Sequence, residues 1–239
     1  MTKISDYKGY LTSLFAQLDA YLLKDLETLV KEIPPRENGG GVGYPSLHTI
    51  LSGMELLGLI SSSKQDTAAF KFYWENYLCK IFPQYNTPGL MEIFRGVMRN
   101  GTAHLFLVKS GVSVSKENKY HLVPVDYNGS LCLNIDLIIL HEHFIQTYNA
   151  VKQDLLTKQL TPDTIAGCEF FNQQMLAADK EVQDYLKANF TLTPTNPVIF
   201  TSANASTMSA LSASTSTSSS VVNPAAPTFT PPQIPHSKQ

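Results

Sequence analysis

The chain has 239 residues, of which 43% are hydrophobic and 16% are charged, and its formal net charge is −2. This length supports one good-sized core or two small ones, and the near-neutral charge excludes a strongly basic protein that coats nucleic acid. Aromatic residues make up 10% of the chain, which excludes an acidic disordered regulator. Neither a signal-type segment nor a long apolar run is evident, so we expect no membrane association and a cytoplasmic location.

Most of the chain is predicted to be helical. Apolar residues recur every three or four positions between Asp6 and Ile33, which indicates an amphipathic helix that Pro34 ends. The second predicted helix is apolar on most sides and is therefore expected to lie centrally. The six predicted helices cover about 6–33, 45–60, 67–82, 89–101, 136–158 and 162–189.

A change of pattern near residue 110 predicts a small β-hairpin insertion at about 110–135. Short runs rich in β-branched residues occur at 112–114, 120–125 and 131–135. Asn128-Gly129, between the last two runs, is a typical hairpin turn. The sequence therefore predicts a mainly α fold, a helical bundle with a small β-hairpin insertion.

The composition changes sharply near residue 192. From Thr201 to Gln239, sixteen residues are Ser or Thr and only Lys238 is charged. Such a segment buries too little apolar surface to offset its ordering entropy. We therefore predict one helical domain over 1–192 and a disordered tail over 193–239. An alternative is an interaction protein whose working part is this tail.

Several familiar site motifs are incomplete in this chain. The glycine-rich segment at 39–43 lacks the Lys-Ser or Lys-Thr of a phosphate-binding loop, so we interpret it as an interhelical loop. His141 and His143 point about 200° apart on a helix and are expected to be exposed or at an interface. His48 and His121 have no evident partner. The three cysteines are far apart and predict reduced packing residues, and no metal site is expected.

Two of the three arginines, Arg95 and Arg99, lie four residues apart on the fourth predicted helix. At about 100° per residue, Glu92 points within about 20° of the direction of Arg99. Glu92, Arg95 and Arg99 therefore form a charged stripe on that helix. Its simplest interpretation is a solvated face with ion pairs at i,i+3 and i,i+4.

The segment that follows Arg99 adds residue types suited to phosphate chemistry. Asn100-Gly101 is a turn or helix-end signal, and His104 comes shortly after it. An interruption at Asn100-Gly101 would let Arg99 and His104 converge. Arginine offers bidentate donors to phosphate oxygens, and histidine transfers protons near neutral pH.

The segment RNGTAH, from Arg99 to His104, resembles the R-x4–6-H motif of HEPN domains, in which a polar residue often follows the arginine. The longer segment FRGVMRNGTAHLFLVKSG is similar to that of largely uncharacterised bacterial HEPN-like proteins. PSLHTILSGMELLG, which contains Glu55, resembles their second helix. The resemblance covers roughly residues 1–160 and implies a helical bundle that usually dimerises.

The resemblance implies a metal-independent endoribonuclease, of the kind found in defence and toxin–antitoxin systems, that needs no cofactor. Arg99 and His104 would be the catalytic pair, with Asn100 in a supporting position. A 2′-hydroxyl of RNA would attack the adjacent phosphate, with His104 as general base or acid and Arg99 stabilising the phosphate charge. A homodimer would bring two such motifs together. Further supporting residues would be Glu55, Glu92 and Arg95.

RNA binding by an acidic domain requires a local basic patch. The candidate RNA-binding residues, all in or near the hairpin, are Lys109, Lys116 and Lys119. The alternative is a non-catalytic HEPN-like module that binds a nucleotide or a regulatory protein partner. Phe106 favours this alternative, because toxin-type members often carry a tyrosine two residues after the histidine. Burial of Arg99 against Glu55 or Glu92 would also favour it, since a buried ion pair is often structural.

Overall fold

The computed structural model describes residues 3–34, 43–101, 111–127 and 129–189, which are mainly helical with a small three-stranded sheet. The predicted fold class, a helical domain with a small β insertion, is confirmed at this level. The predicted tail over 193–239 and residues 39–42 of the glycine-rich loop lie outside the described residues. None of the helices in the described ranges combines the length and apolarity needed to cross a membrane.

Helix α1 begins at Tyr7 and ends at Glu32, close to Pro34 as predicted. It is α-helical over Tyr7–Gln17 and Lys24–Glu27 and π-helical over Leu18–Leu23 and Thr28–Glu32. The Asp6 carboxylate caps its first turn by accepting a hydrogen bond of 3.0 Å from the Gly9 N–H. One face is buried in the core through Leu11, Phe15, Leu26 and Val30, which confirms the amphipathic prediction.

The other five predicted helices are present, with ends close to the expected ones. Helix α2 is Gly43–Ser62, and helix α3 consists of Asp66–Tyr73, a π-helical stretch Trp74–Leu78 and Cys79–Ile81. A 3-10 turn, Pro83–Tyr85, follows α3. Helix α4 begins with Leu90–Glu92 and is π-helical over Ile93–Arg99. Helices α5 and α6 are Leu137–Thr157 and Pro162–Asn189.

Helix α2 is the central element, as its apolar sequence predicts, and it contacts α3, α4, α5 and α6. Two glycines allow the closest approaches between these helices. A Cβ atom at Gly58 would lie 2.0 Å from the carbonyl oxygen of Ala69 on α3. A Cβ atom at Gly167 on α6 would lie 2.4 Å from the carbonyl oxygen of Leu59. Both positions therefore require the absence of a side chain.

The sheet contains strands β1 (Val112–Ser115), β2 (Val123–Tyr127) and β3 (Ser130–Asp136) in the order β1-β3-β2. Strands β2 and β3 form the predicted antiparallel hairpin, and Asp126 stabilises its turn by accepting a 2.7 Å bond from the Gly129 N–H. Strand β1 pairs with β3 in parallel. The connection between β1 and β2 therefore passes around the C-terminal end of β3, where α5 begins.

Candidate functional site

Three charged side chains meet where α2 faces α4. Glu55 Oε2 on α2 lies 2.9 Å from Arg99 Nε, and Glu55 Oε1 accepts a 3.3 Å hydrogen bond from Arg99 Nη2. The same Oε2 atom lies 3.9 Å from Arg95 Nε. One carboxylate thus lies between two guanidinium groups, and together with Asn100 we call these residues the arginine cluster. Two positive charges and one negative charge leave the cluster with a net charge of +1.

The arginine cluster is largely removed from solvent. The exposed fractions of the side chains are 12% for Arg95, 14% for Glu55 and 24% for Arg99. Charges in such surroundings are less screened than charges at an open surface. The net positive charge of the arginine cluster therefore attracts strongly any anion that reaches the guanidinium group of Arg99.

Asn100 joins the two arginines through its side chain. Its Oδ1 atom accepts hydrogen bonds from Arg95 Nη1 and, at 3.5 Å, from Arg99 Nη1. Arg95 and Asn100 face each other because they lie five residues apart in a π-helical stretch, where the Asn100 N–H also bonds to the Arg95 carbonyl. The π geometry of α4 is therefore what assembles this side of the cluster.

The same π geometry corrects one prediction about α4. The backbone of Asn100 and Gly101 is helical, which agrees with the predicted helix over about 89–101. Glu92 is exposed, and within the described ranges both arginines pair with Glu55 and not with Glu92. A rotation of 100° per residue does not hold in a π-helix, so the predicted stripe is not formed. His104 lies outside the described residues.

An open pocket of about 310 Å³ lies beside the cluster, between α2, α3, α4 and α6. Its lining combines the charged side chains of Glu55, Asp66 and Arg99 with apolar surface that includes Leu59 and Phe170. This volume is at the lower end of the range of small-molecule sites. The pocket suits a small ligand that has an anionic group and an apolar or aromatic part.

Of the predicted RNA-binding lysines, the two that the structure describes, Lys116 and Lys119, do not line this pocket. Lys116 donates hydrogen bonds to the carbonyl oxygens of Leu29 (3.3 Å) and Ile33 (2.5 Å), at the C-terminal end of α1. Partial burial lowers the pKa of its ammonium group. Lys116 therefore stabilises a helix end, where a cation complements the helix dipole. Lys119 is exposed, and Lys109 lies outside the described residues.

A second polar cluster, which sequence reasoning missed, joins two histidines through Tyr85. The buried Tyr85 hydroxyl lies 2.7 Å from His121 Nε2 and 2.9 Å from His143 Nδ1. His121 Nδ1 accepts a 3.1 Å hydrogen bond from the backbone N–H of Asp136, so this nitrogen carries no proton. The neutral His121 ring therefore donates from Nε2 to Tyr85, whose O–H donates to His143 Nδ1.

The histidines of α5 differ from the prediction that they are exposed or at an interface. His141 is buried, because it lies on the face of α5 that packs into the domain, and His143 is half-buried and stacks on Phe82 with ring centroids 3.8 Å apart. Burial, and to a lesser extent the charge of Lys31, lowers the pKa of His141. Over the described ranges no three metal-binding side chains come together, and the three cysteines are free thiols.

The His121 hydrogen bonds predict that stability falls in mild acid. Burial, and next the nearby His143, lowers the pKa of His121 to about 4, compared with about 6.5 in the unfolded chain. The unfolded state therefore binds more protons between these two values. The contribution of neutral His121 to the free energy of unfolding is complete above about pH 6.5 and is lost as the pH falls towards 4. We expect a loss of about 2 kcal/mol from this group after allowing for its partial exposure.

Urea unfolding at a series of pH values from 7.5 to 4 measures this effect, with His121→Gln as the comparison. The variant is expected to be less stable at pH 7.5 but to lose less stability on acidification, because its amide does not titrate. Equal pH dependence of the wild type and the variant would show that His121 does not contribute to it.

Comparison of the chain with protein-family models, with curated proteins and with solved structures finds no match in any of the three.

Proposed function

We propose that this chain is a HEPN-like binding module that recognises the phosphate group of a nucleotide in the pocket beside Arg99. The observation that carries the proposal is the shared ion pair of Arg95 and Arg99 with Glu55 at the edge of that pocket. The net positive charge attracts an anion, and a guanidinium group is well matched to phosphate oxygens. Phe170, which also lines the pocket, is an aromatic side chain on which the base would stack.

The pairing of Arg99 with Glu55 favours binding over catalysis. A guanidinium group that already contacts a carboxylate is oriented and partly neutralised before any ligand arrives. The contact fits a structural and binding role for Arg99, and Phe106 in place of tyrosine favours the same role.

Isothermal titration of the four nucleoside 5′-monophosphates into wild type and Arg99→Ala tests the proposal. We expect at least tenfold weaker binding by the variant, because the phosphate loses a charge-assisted contact. Lys71→Ala is the matched control, since it removes one positive charge from an exposed ion pair on α3. It is expected to keep the wild-type affinity within about twofold. Absence of binding by the wild type, or unchanged binding by Arg99→Ala, would contradict the proposal.

A metal-independent endoribonuclease is the second candidate. It is favoured by the joint position of Arg99 and Asn100, two of the three predicted catalytic residues, in one cluster at the pocket. In this mechanism a homodimer of the chain combines His104 with Arg99 to cleave RNA, as in defence or toxin–antitoxin systems. A binding module needs no such chemistry.

RNA cleavage in EDTA by wild type, Arg99→Ala and His104→Ala separates the two candidates. A binding module leaves RNA intact in all three reactions. Cleavage by the wild type that both folded variants lose would establish the ribonuclease and reject the non-catalytic module.

A further inference from the structure

The pocket beside Arg99 contains a second carboxylate, Asp66, whose surroundings differ from those of Glu55. The Glu55 carboxylate is already engaged by Arg99 and Arg95. The side chain of Asp66 is exposed, and over the part of the chain that the structure describes it forms neither an ion pair nor a hydrogen bond. The two acceptor oxygens of Asp66 are therefore available to hydrogen-bond donors of a ligand.

Arg99 and Asp66 lie at different positions along α2, which forms one wall of the pocket. Arg99 contacts Glu55, whereas Asp66 begins α3 shortly after α2 has ended at Ser62. Glu55 and Ser62 are seven residues apart on α2, which corresponds to a rise of about 10 Å. The pocket therefore has a cationic part and an anionic part, and their separation suits the length of a mononucleotide.

These opposite charges fix the direction in which a nucleotide would lie. Its phosphate is attracted by Arg99 and repelled by Asp66, so the phosphate would lie at the Arg99 end and the base at the Asp66 end. Phe170 lines the same pocket and would stack on the base. The hydrogen-bonding edge of the base would then face the carboxylate of Asp66.

Guanine is the base whose hydrogen-bonding edge matches a carboxylate. Its N1–H and N2–H donors lie side by side, so each carboxylate oxygen accepts one of them, as in the pairing of arginine with a carboxylate. Adenine and cytosine place an acceptor nitrogen beside their amino group, and uracil places one N–H between two carbonyl oxygens. In these three bases a lone pair would face one of the carboxylate oxygens.

On these grounds we propose that Asp66 is a specificity-determining residue that makes the pocket select guanine nucleotides, which rests on the proposed function because the phosphate must bind at Arg99. The selectivity comes from two hydrogen bonds to a charged acceptor. Because Asp66 is exposed, both bonds compete with water, and the loss of one of them is expected to weaken binding by about tenfold.

Titration of the full chain with guanosine, inosine and adenosine 5′-monophosphates tests the selectivity of the wild type. The inosine nucleotide differs from the guanosine nucleotide only in lacking the N2 amino group, so we expect its binding to be about tenfold weaker. The adenosine nucleotide lacks the pair of adjacent donors, and we expect its binding to be about thirtyfold weaker or more. Adenosine binding as tight as guanosine binding would overturn the inference.

Asp66→Asn is expected to change the preferred base, because an amide presents one acceptor and one donor. Asparagine tolerates the left-handed backbone of this position, where φ is 49°, so the variant is expected to fold. Xanthosine 5′-monophosphate has a carbonyl oxygen in place of the N2 amino group and therefore complements the amide. The ratio of guanosine to xanthosine affinity is expected to fall about a hundredfold, and a ratio cancels any uniform gain from the lost negative charge.

The matched control is Asp163→Asn, which removes a carboxylate from the first turn of α6. Asp66 has the same place in the first turn of α3, but Asp163 does not line the pocket. We expect the control to keep both affinities within about twofold of the wild type.

Arg99→Ala separates this inference from the proposed function. It is expected to weaken the binding of the guanosine and adenosine nucleotides by the same factor, because it acts on the phosphate that they share. Equal binding of all bases by the wild type, or an unchanged guanosine-to-xanthosine ratio in Asp66→Asn, would overturn the inference. If Arg99→Ala still weakened binding, the proposed function would stand. Absence of binding of any of these nucleotides by the wild type would overturn both.

Discussion

Replacement of Gly58 by alanine is expected to destabilise the protein by about 3 kcal/mol or more. A Cβ atom at this position would lie 2.0 Å from the carbonyl oxygen and 2.7 Å from the carbonyl carbon of Ala69. Those atoms belong to the backbone of α3, so no side-chain rotation relieves the overlap. Helix α3 must move away from α2, which opens the core that Phe70 and Tyr73 fill on the same side of α3.

Urea denaturation of Gly58→Ala measures this loss, and Gly96→Ala is the matched control. Gly96 is also a helical glycine, but no described residue lies within 4 Å of the position its Cβ would take. Alanine there is expected to be neutral or to stabilise by up to about 1 kcal/mol, since alanine has the higher helix propensity. Similar stability of the two variants would show that the approach of α2 and α3 is not as close as the structure has it.

Replacement of Asp136 by alanine is expected to cost about 3 to 4 kcal/mol. Asp136 is fully buried, and its Oδ1 atom accepts hydrogen bonds of 3.0 and 3.2 Å from two N–H groups in the first turn of α5. Its Oδ2 atom accepts from the N–H groups of Glu117 and Asn118, at 2.8 and 2.9 Å, and from the Ser115 hydroxyl. The expected loss of stability has two sources. Helix α5 loses its N-terminal cap, and several N–H and O–H donors are left without an acceptor.

Thermal and urea unfolding of Asp136→Ala, with Asp126→Ala as control, test this role. Asp126 is an exposed aspartate of the same sheet that accepts, among the described residues, one turn hydrogen bond from Gly129, so its loss is expected to cost about 1 kcal/mol or less. Amide hydrogen exchange in Asp136→Ala is expected to increase first at the start of α5 and in the loop after β1. A loss no larger than that of Asp126→Ala would contradict the central role of Asp136.

The residues of the candidate site were largely predictable, but their partners were not. Arg95, Arg99 and Asn100 follow from spacing and motif, and Glu55 follows from the resemblance of its helix. The pairing with Glu92 was wrong, because spacing along an α-helix assumes a rotation that the π-helical part of α4 does not have. Glu55 comes from a different helix, 44 residues away from Arg99.

The cluster of Tyr85, His121 and His143 was likewise not predictable from spacing along the chain. Tyr85 is separated by 36 residues from His121 and by 58 from His143, and no motif links the three. Only the packing of the 3-10 turn against α5 and the connection before β2 brings their polar atoms together. The single signal in the sequence was the presence of one histidine on a predicted β run and another on the helix predicted to follow the β insertion.

The sequence by itself determined the six helices and the hairpin, because apolar periodicity, prolines and the Asn-Gly turn act between neighbouring residues. The tertiary structure alone decided that β1 pairs in parallel with β3, that His141 is buried and that Arg99 contacts Glu55. These outcomes depend on contacts between residues far apart in the chain, and on how closely backbones approach at positions such as Gly58. Local patterns carry no information about either.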